Sequence, residues 1–279
     1  MQRPSAALLP DGKRLHLQHG PIDLVIGASG NAPSVKAAYA TAQLRFETVL
    51  EELVSELALL RHEVPKHGLG LRGNIAKTME KAVQPYWNSR VTPMAAVAGA
   101  VAEEILHAMT STAELSRAYV NNGGDIAIHL TGNELFVAAS PAGKITIHAF
   151  ENVRGIATSG WRGRSFSLGI ADAVTVLGRS AAEADVAATL IANAIDLPNS
   201  NKITRQRACE LSPDSDLGTR PVTTGVDPLS LNEIEAALRR GAGLAQELID
   251  HHAIEAASLL LGGQIVTLKY QQQLERAYA

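Results

Sequence analysis

The chain has 279 residues and a mass of 29.5 kDa, with 46% hydrophobic residues, enough to bury a core unaided. A net charge of −3, a pI near 6.3 and only 4% aromatic residues argue against nucleic-acid or membrane-surface partners. Cys209 stands alone, so no internal disulfide framework forms and a reducing compartment is expected. The apolar run near Met1 is too short for a signal peptide, and no stretch approaches the ~20 apolar residues of a membrane span. These points make the cytoplasm the expected location.

Leu15–Gly20 and Ile22–Ile26 read as two strands meeting at Gly20-Pro21. A long helix is expected from Ser34 to about His62, with Leu44, Val49, Leu53, Leu57 and Leu60 as its apolar stripe, stopped by Pro65. A second helix covers Ile75 to Val83. Pro93 opens a third, Met94 to Met109, whose Ala95, Ala96, Ala98, Gly99, Ala100 and Ala102 suit a buried helix in close contact with another element or a ligand. Strands follow at Ile126–Leu130, Leu135–Ala139 and Ile145–His148 in a meander, then at Gly155–Thr158 and Ala173–Leu177. Ser180 and Glu183 form a capping box for a helix to about Ile195. The stretch from Pro198 to Asp227 reads as polar and irregular, Leu231–Ile249 as an amphipathic helix, and Gln264–Leu268 as a final strand. No repeat or linker divides residues 1–279, which read as one α+β domain.

The chemistry gathers around Tyr119-Val-Asn-Asn-Gly-Gly-Asp-Ile126. Gly123 and Gly124 let bare backbone turn with positive φ, while Asn121, Asn122 and Asp125 surround it with amides and a carboxylate. Both a ligand cradle and an ordinary connecting turn fit these residues. Downstream stand Ala157-Thr158-Ser159-Gly160 and Ala184-Asp185-x-x-x-Thr189. Asp185 and Thr189, four apart, share one helix face and offer hard oxygen donors suited to Mg²⁺; a solvated first-turn acid is the alternative for Asp185.

An Asn-x-Gly-Gly-Asp turn, an Ala-Thr-Ser-Gly strand end and an Ala-Asp-x-x-x-Thr helix, in that order, resemble the ApbE superfamily of flavin transferases, which move FMN from FAD onto proteins. His19-Gly20-Pro21 and Asp214-Ser-Asp-Leu-Gly218 look more like a separate ApbE-like branch. The resemblance implies a T-fold-related architecture in which antiparallel sheets pack around a central helical layer, with the small-residue helix near a flavin. It also implies FAD or FMN cradled by Asn121, Asn122, Gly123, Gly124 and Asp125, contacts from Thr158, Ser159 and Gly160, and Mg²⁺ on Asp185 and Thr189.

In one respect the chain departs from the transferases. They carry a histidine in a His-hydrophobic-hydrophobic-Asp-Pro stretch after Ala-Thr-Ser-Gly. Here Ser165-Phe-Ser-Leu-Gly-Ile-Ala-Asp-Ala173 stands instead, with Asp172 in loose alignment. A flavin site without protein flavinylation is therefore one expectation. Another is an enzyme acting on a small anionic metabolite through Arg162, Arg164 and Asp172, the two arginines serving either as an anion clamp or as a solvated loop. A non-catalytic cofactor carrier is the third. The expected partner is a small anionic ligand, and the assembly to look for is a homodimer. No zinc, serine-hydrolase or Walker pattern is present.

Overall fold

Strict alternation writes the first hairpin. In the computed structural model, which describes residues 3–269, Leu15, Leu17 and His19 of β2 (Leu15–His19) face Ile26, Leu24 and Ile22 of β3 (Ile22–Ser29), all buried. A short edge strand, β1 (Ser5–Leu8), pairs with β2. Over these strands lies α1 (Ala32–Ser55), capped by Asn31, whose Oδ1 accepts from Ser34 N at 2.8 Å. Its buried stripe is Ala38, Ala42, Phe46, Val49 and Leu53; of the expected stripe Val49, Leu53 and Leu60 are buried, whereas Leu44 is 68% exposed. The helix also stops early, at Glu56, before the single turn α2 (Leu57–Leu60). The Glu56 carboxylate explains the break, since it accepts Arg72 N and Gly73 N (2.7 Å each) and so ties the bend to the start of α3 (Asn74–Val83).

From Pro93 a 3₁₀ turn leads into α4 (Val97–Thr112), which is buried along Gly99–Ala102, Ile105, Leu106 and Met109. The meander follows as β4 (Arg117–Asn122), β5 (Asp125–Leu130), β6 (Leu135–Ser140), β7 (Gly143–His148), β8 (Gly155–Ser159) and β9 (Ala173–Gly178). Next come α5 (Ala181–Ala194), α7 (Leu231–Asp250), and the hairpin β12 (Ala256–Leu261) with β13 (Gln264–Lys269). Between α5 and α7, where irregular chain was expected, lie β10 (Ile203–Arg207), the single turn α6 (Ala208–Leu211) and β11 (Pro221–Val226), the two strands pairing antiparallel.

Nine strands form one antiparallel sheet in the order β1-β2-β3-β4-β5-β8-β9-β12-β13. Its two halves are joined narrowly, at Ile126↔Ile156 and Ala127↔Gly155. Each half has its own core under the helices, one with α1, α3 and α4, the other with α5 and α7. Helices α4 and α5 pack against each other across the joint. The two halves therefore curve around a helical layer, as a strongly twisted sheet does. On the outer face the β6–β7 hairpin covers Ile126, Ile128 and Ile156 with Phe136 and Ile147. No helix among the described residues is long and apolar enough to cross a membrane.

Candidate functional site

The Asn-Asn-Gly-Gly-Asp stretch is both the hairpin turn between β4 and β5 and one wall of a cavity. Asn121 Oδ1 accepts Gly124 N at 2.8 Å, and Gly123 and Gly124 take φ of 67° and 118°. Alternation then decides which side chains point inward. Asn121 falls on the outer face with Tyr119, whereas Asn122 follows Ala118 and Val120 to the helical face. There Asn122 is buried and its Nδ2 donates to Ala98 O at 3.1 Å. Asp125 shares parity with Ala127 and also faces the helices; its Oδ1 accepts Thr158 N at 3.1 Å.

On the helical side α4 and α5 each supply an acid to the start of the other. Asp185 Oδ2 accepts Gly99 N at 3.0 Å, at the beginning of α4, where Ala96 offers no side-chain cap. Glu103 of α4 in turn accepts Ala182 N of α5 at 2.7 Å. Ser180 caps α5 through Glu183 N at 3.2 Å, but only this half of the expected capping box forms. The crossing requires Gly99, because a Cβ there would run into the Ala181 carbonyl.

This packing sets Asp125 and Asp185 against each other. Burial is the larger cause and pushes the Asp125 carboxyl up to about 7, with Arg164 pulling the other way. Burial followed by the Asp125 charge raises Asp185 well above the usual carboxylate range, against the Gly99 and Ala98 amides. Both acids open onto a cavity of about 320 Å³ that also takes in Ser159, Arg164, Phe166 and Thr189. Its opposite wall is built from Arg90, Thr92, Met94, Asp216, Leu217 and Arg220.

The sequence candidates divide accordingly. Asp125, Ser159, Arg164, Asp185 and Thr189 meet at the cavity, and Gly123 lies directly under the Arg164 guanidinium. Thr158 contributes only its amide, since its hydroxyl pairs with Thr175 at 3.0 Å on the outer face. Gly160 packs against the Asp172 carbonyl (2.6 Å from a built Cβ) and is structural in its contacts. Arg162 and Asp172 lie apart from the cavity. Arg162 Nε meets Asp172 Oδ1 at 2.6 Å, and Asp172 Oδ2 accepts Gly262 N at 2.7 Å, so the pair ties this loop to the β12–β13 turn.

Composition did not single out Arg90, Thr92, Phe166 or Arg220, which are distant in sequence and carry no spacing signal; Asp216 and Leu217 lie in the Asp214–Gly218 block. A larger hollow, about 680 Å³, lies on the outer face beside the β6–β7 hairpin. Its acids are already engaged, Glu151 by His148 N and Glu255 by Arg179, so the smaller cavity is the better chemical site.

Comparison with known proteins bears on the family and the fold. A family model described as AbpE bacteria matches residues 6–267. A UPF0280 protein of Methanopyrus kandleri is 34% identical over 187 residues, covering 65% of this chain and 73% of that protein. The UPF0280 protein of Methanothrix thermoacetophila is 42% identical over 113 residues, covering 38% of this chain and 46% of that protein. Among solved structures, a mutant of the flavin transferase ApbE from Vibrio cholerae superposes with a TM-score of 0.50 at 13% identity, covering 92% of this chain and 97% of that one. That likeness concerns the fold. The chain belongs to the bacterial ApbE-like family, in a branch it shares with the archaeal UPF0280 proteins.

Proposed function

We propose that the cavity binds a phosphorylated heterocycle of the flavin mononucleotide type together with Mg²⁺, and that it does not transfer the flavin to protein. The observation that carries this reading is the facing pair Asp125 and Asp185, two acids whose shared burial disfavours two negative charges unless a cation joins them. The donors suit Mg²⁺. Asp125 accepts from the Thr158 amide and Asp185 from the Gly99 and Ala98 amides, and all three of Asp125, Asp185 and Thr189 line the cavity. Mg²⁺ needs few protein ligands because it keeps several waters. When bound, it would neutralise ligand phosphate oxygens.

Arg164, held over Gly123, gives a second positive charge to the same corner, and Phe166 with Met94 offers an apolar surface to a ring. A volume of about 320 Å³ is at the small end of ligand sites, which favours a mononucleotide over a dinucleotide. No histidine lines the cavity among the described residues, in keeping with the missing histidine block. A reaction built jointly on Arg162, Arg164 and Asp172 lacks a common centre, because two of the three pair with each other elsewhere.

The test is titration of FMN into the purified protein, followed by flavin fluorescence, with Mg²⁺ and with a chelator. Binding at least tenfold tighter with Mg²⁺, lost in Asp185→Ala, is expected. Equal affinity with and without the metal would refute the reading.

A further inference from the structure

The face of α5 that carries Asp185 and Thr189 continues to a third cavity residue, Asn193, again four positions on. Asn193 is half-buried, and its Oδ1 accepts Leu168 N at 2.9 Å and the Ser167 hydroxyl at 3.3 Å. Both donors belong to the loop between β8 and β9, which is fastened to the end of α5 at this point. Ile170 N donates to Ile195 O at 2.8 Å, Ser167 O accepts Thr223 N of β11 at 2.9 Å, and Gly169 sits against the Ala192 carbonyl with no room for a Cβ. The fastening settles which way the Asn193 amide faces. A backbone N–H can only donate, so Oδ1 must face Leu168 and Nδ2 must face the other way. Nδ2 donates to no acceptor among the described residues and is not sealed from solvent. Two N–H donors of a fixed amide are therefore left to the cavity, with Phe166 on the same loop one residue before Ser167.

We infer that Asn193 is a specificity-determining residue of the cavity, donating from Nδ2 to an acceptor atom on the ring of the ligand, a carbonyl oxygen or an unprotonated ring nitrogen. Eight residues of helix place it about 12 Å along α5 from Asp185, so it meets a different part of the ligand from the metal and phosphate end. This rests on the functional reading above and narrows the heterocycle to one with an acceptor on its edge, as the flavin ring has. A bound ring without that acceptor would leave the two donors dry and unpaired, which is how a polar group in a pocket rejects an otherwise similar ligand. Phe166 supplies apolar contact to the ring whose edge Asn193 reads.

The experiment titrates FMN and D-ribitol 5-phosphate, the same phosphate chain without the ring, into wild-type protein, Asn193→Asp and Asn193→Ala by calorimetry, each with and without Mg²⁺. The wild type should prefer FMN by tenfold or more. Asn193→Asp keeps an oxygen for Leu168 N and replaces the donor by a second acceptor, so it should melt near the wild type yet lose most of that preference. Asn193→Ala gives up the loop contact as well, and should melt lower while losing the same preference. The preference is the quantity read, because a new charge at position 193 weakens both phosphates alike. Melting curves show whether each variant is folded; if one is not, the other decides. An unchanged preference in the folded variants overturns the assignment, as does a wild type that binds both probes equally. Loss of the preference without dependence on Mg²⁺ would keep this inference and remove the metal. Dependence on Mg²⁺ with an unchanged preference would keep the metal and remove Asn193, and a wild type that binds neither probe overturns both.

Discussion

Asp125→Asn should stabilise the metal-free protein above neutral pH. The folded carboxyl is pushed from its usual 3.8 to about 7, so the folded chain binds more protons than the unfolded chain between those values. The stability this group contributes is full below about pH 4 and is lost as pH rises through about 7. A change of that size corresponds to a ceiling of about 4 kcal/mol. Asp125 is only partly buried and lines the open cavity, so about 2 kcal/mol is the better expectation. Asparagine keeps an oxygen for Thr158 N and removes the charge that also raises Asp185. For a chain of this size, ~2 kcal/mol shifts the melting temperature by roughly 4–8 °C. Scanning fluorimetry with a chelator should show that gain at about pH 8 and almost none at about pH 5. Excess Mg²⁺ should stabilise the wild type and leave the variant unmoved. A variant no more stable than wild type at pH 8 without metal would refute the argument that the two acids strain each other.

The two turn glycines should part company. Gly123→Ala puts a methyl group where the Arg164 guanidinium lies and should weaken FMN binding at least tenfold, whereas Gly124→Ala meets nothing within 4 Å and should cost only about 1 kcal/mol of backbone strain with binding intact; paired melting and titration distinguish them. Arg162→Ala should leave ligand affinity unchanged and cost less than about 1 kcal/mol in melting, because its ion pair is 63% exposed on the arginine side; a tenfold loss of affinity would bring the loop back into the site. Incubation with FAD, Mg²⁺ and a threonine-bearing acceptor should give no fluorescent acceptor band in a gel, and a band would show that the missing histidine block is dispensable.

Local chemistry made part of the site readable. Asp185 and Thr189 sit four apart on a helix that Ser180 does cap, and period 3.6 then puts them on one face. Asp125 was readable as a neighbour of two glycines, but its partner was not, because the opposition of Asp125 and Asp185 is created by the α4–α5 crossing. The sequence also leaves open which asparagine turns inward. Strand parity turns Asn122 to the helical face and Asn121 away from it. The missed strand β12, Ala256–Leu261, alternates in burial between β9 and β13, but its sequence of small and apolar residues shows no apolar–polar alternation. The β10–β11 hairpin was hidden by its polar composition: Arg205 and Arg207 sit in a strand of which only Ile203 is buried. That excursion carries Arg220, so the opposite wall was lost with it.

The position of the acids follows from one absent side chain. Without a Cβ at Gly99, α4 and α5 touch backbone to backbone, which brings the first amides of α4 within 3.0 Å of Asp185 and those of α5 within 2.7 Å of Glu103. Each helix start thus receives an acidic side chain from its partner, for α5 in addition to the Ser180 cap. The Asp185 carboxyl is oriented by that bond together with the Ala98 amide. Asp125 is oriented in the same manner by Thr158 N, from the narrow joint between the two half-sheets. Two carboxylates that burial disfavours are therefore aimed at one point by backbone amides rather than by flexible side chains. Proton uptake relieves the pair below about pH 7, and in the proposed function a cation would do so above it.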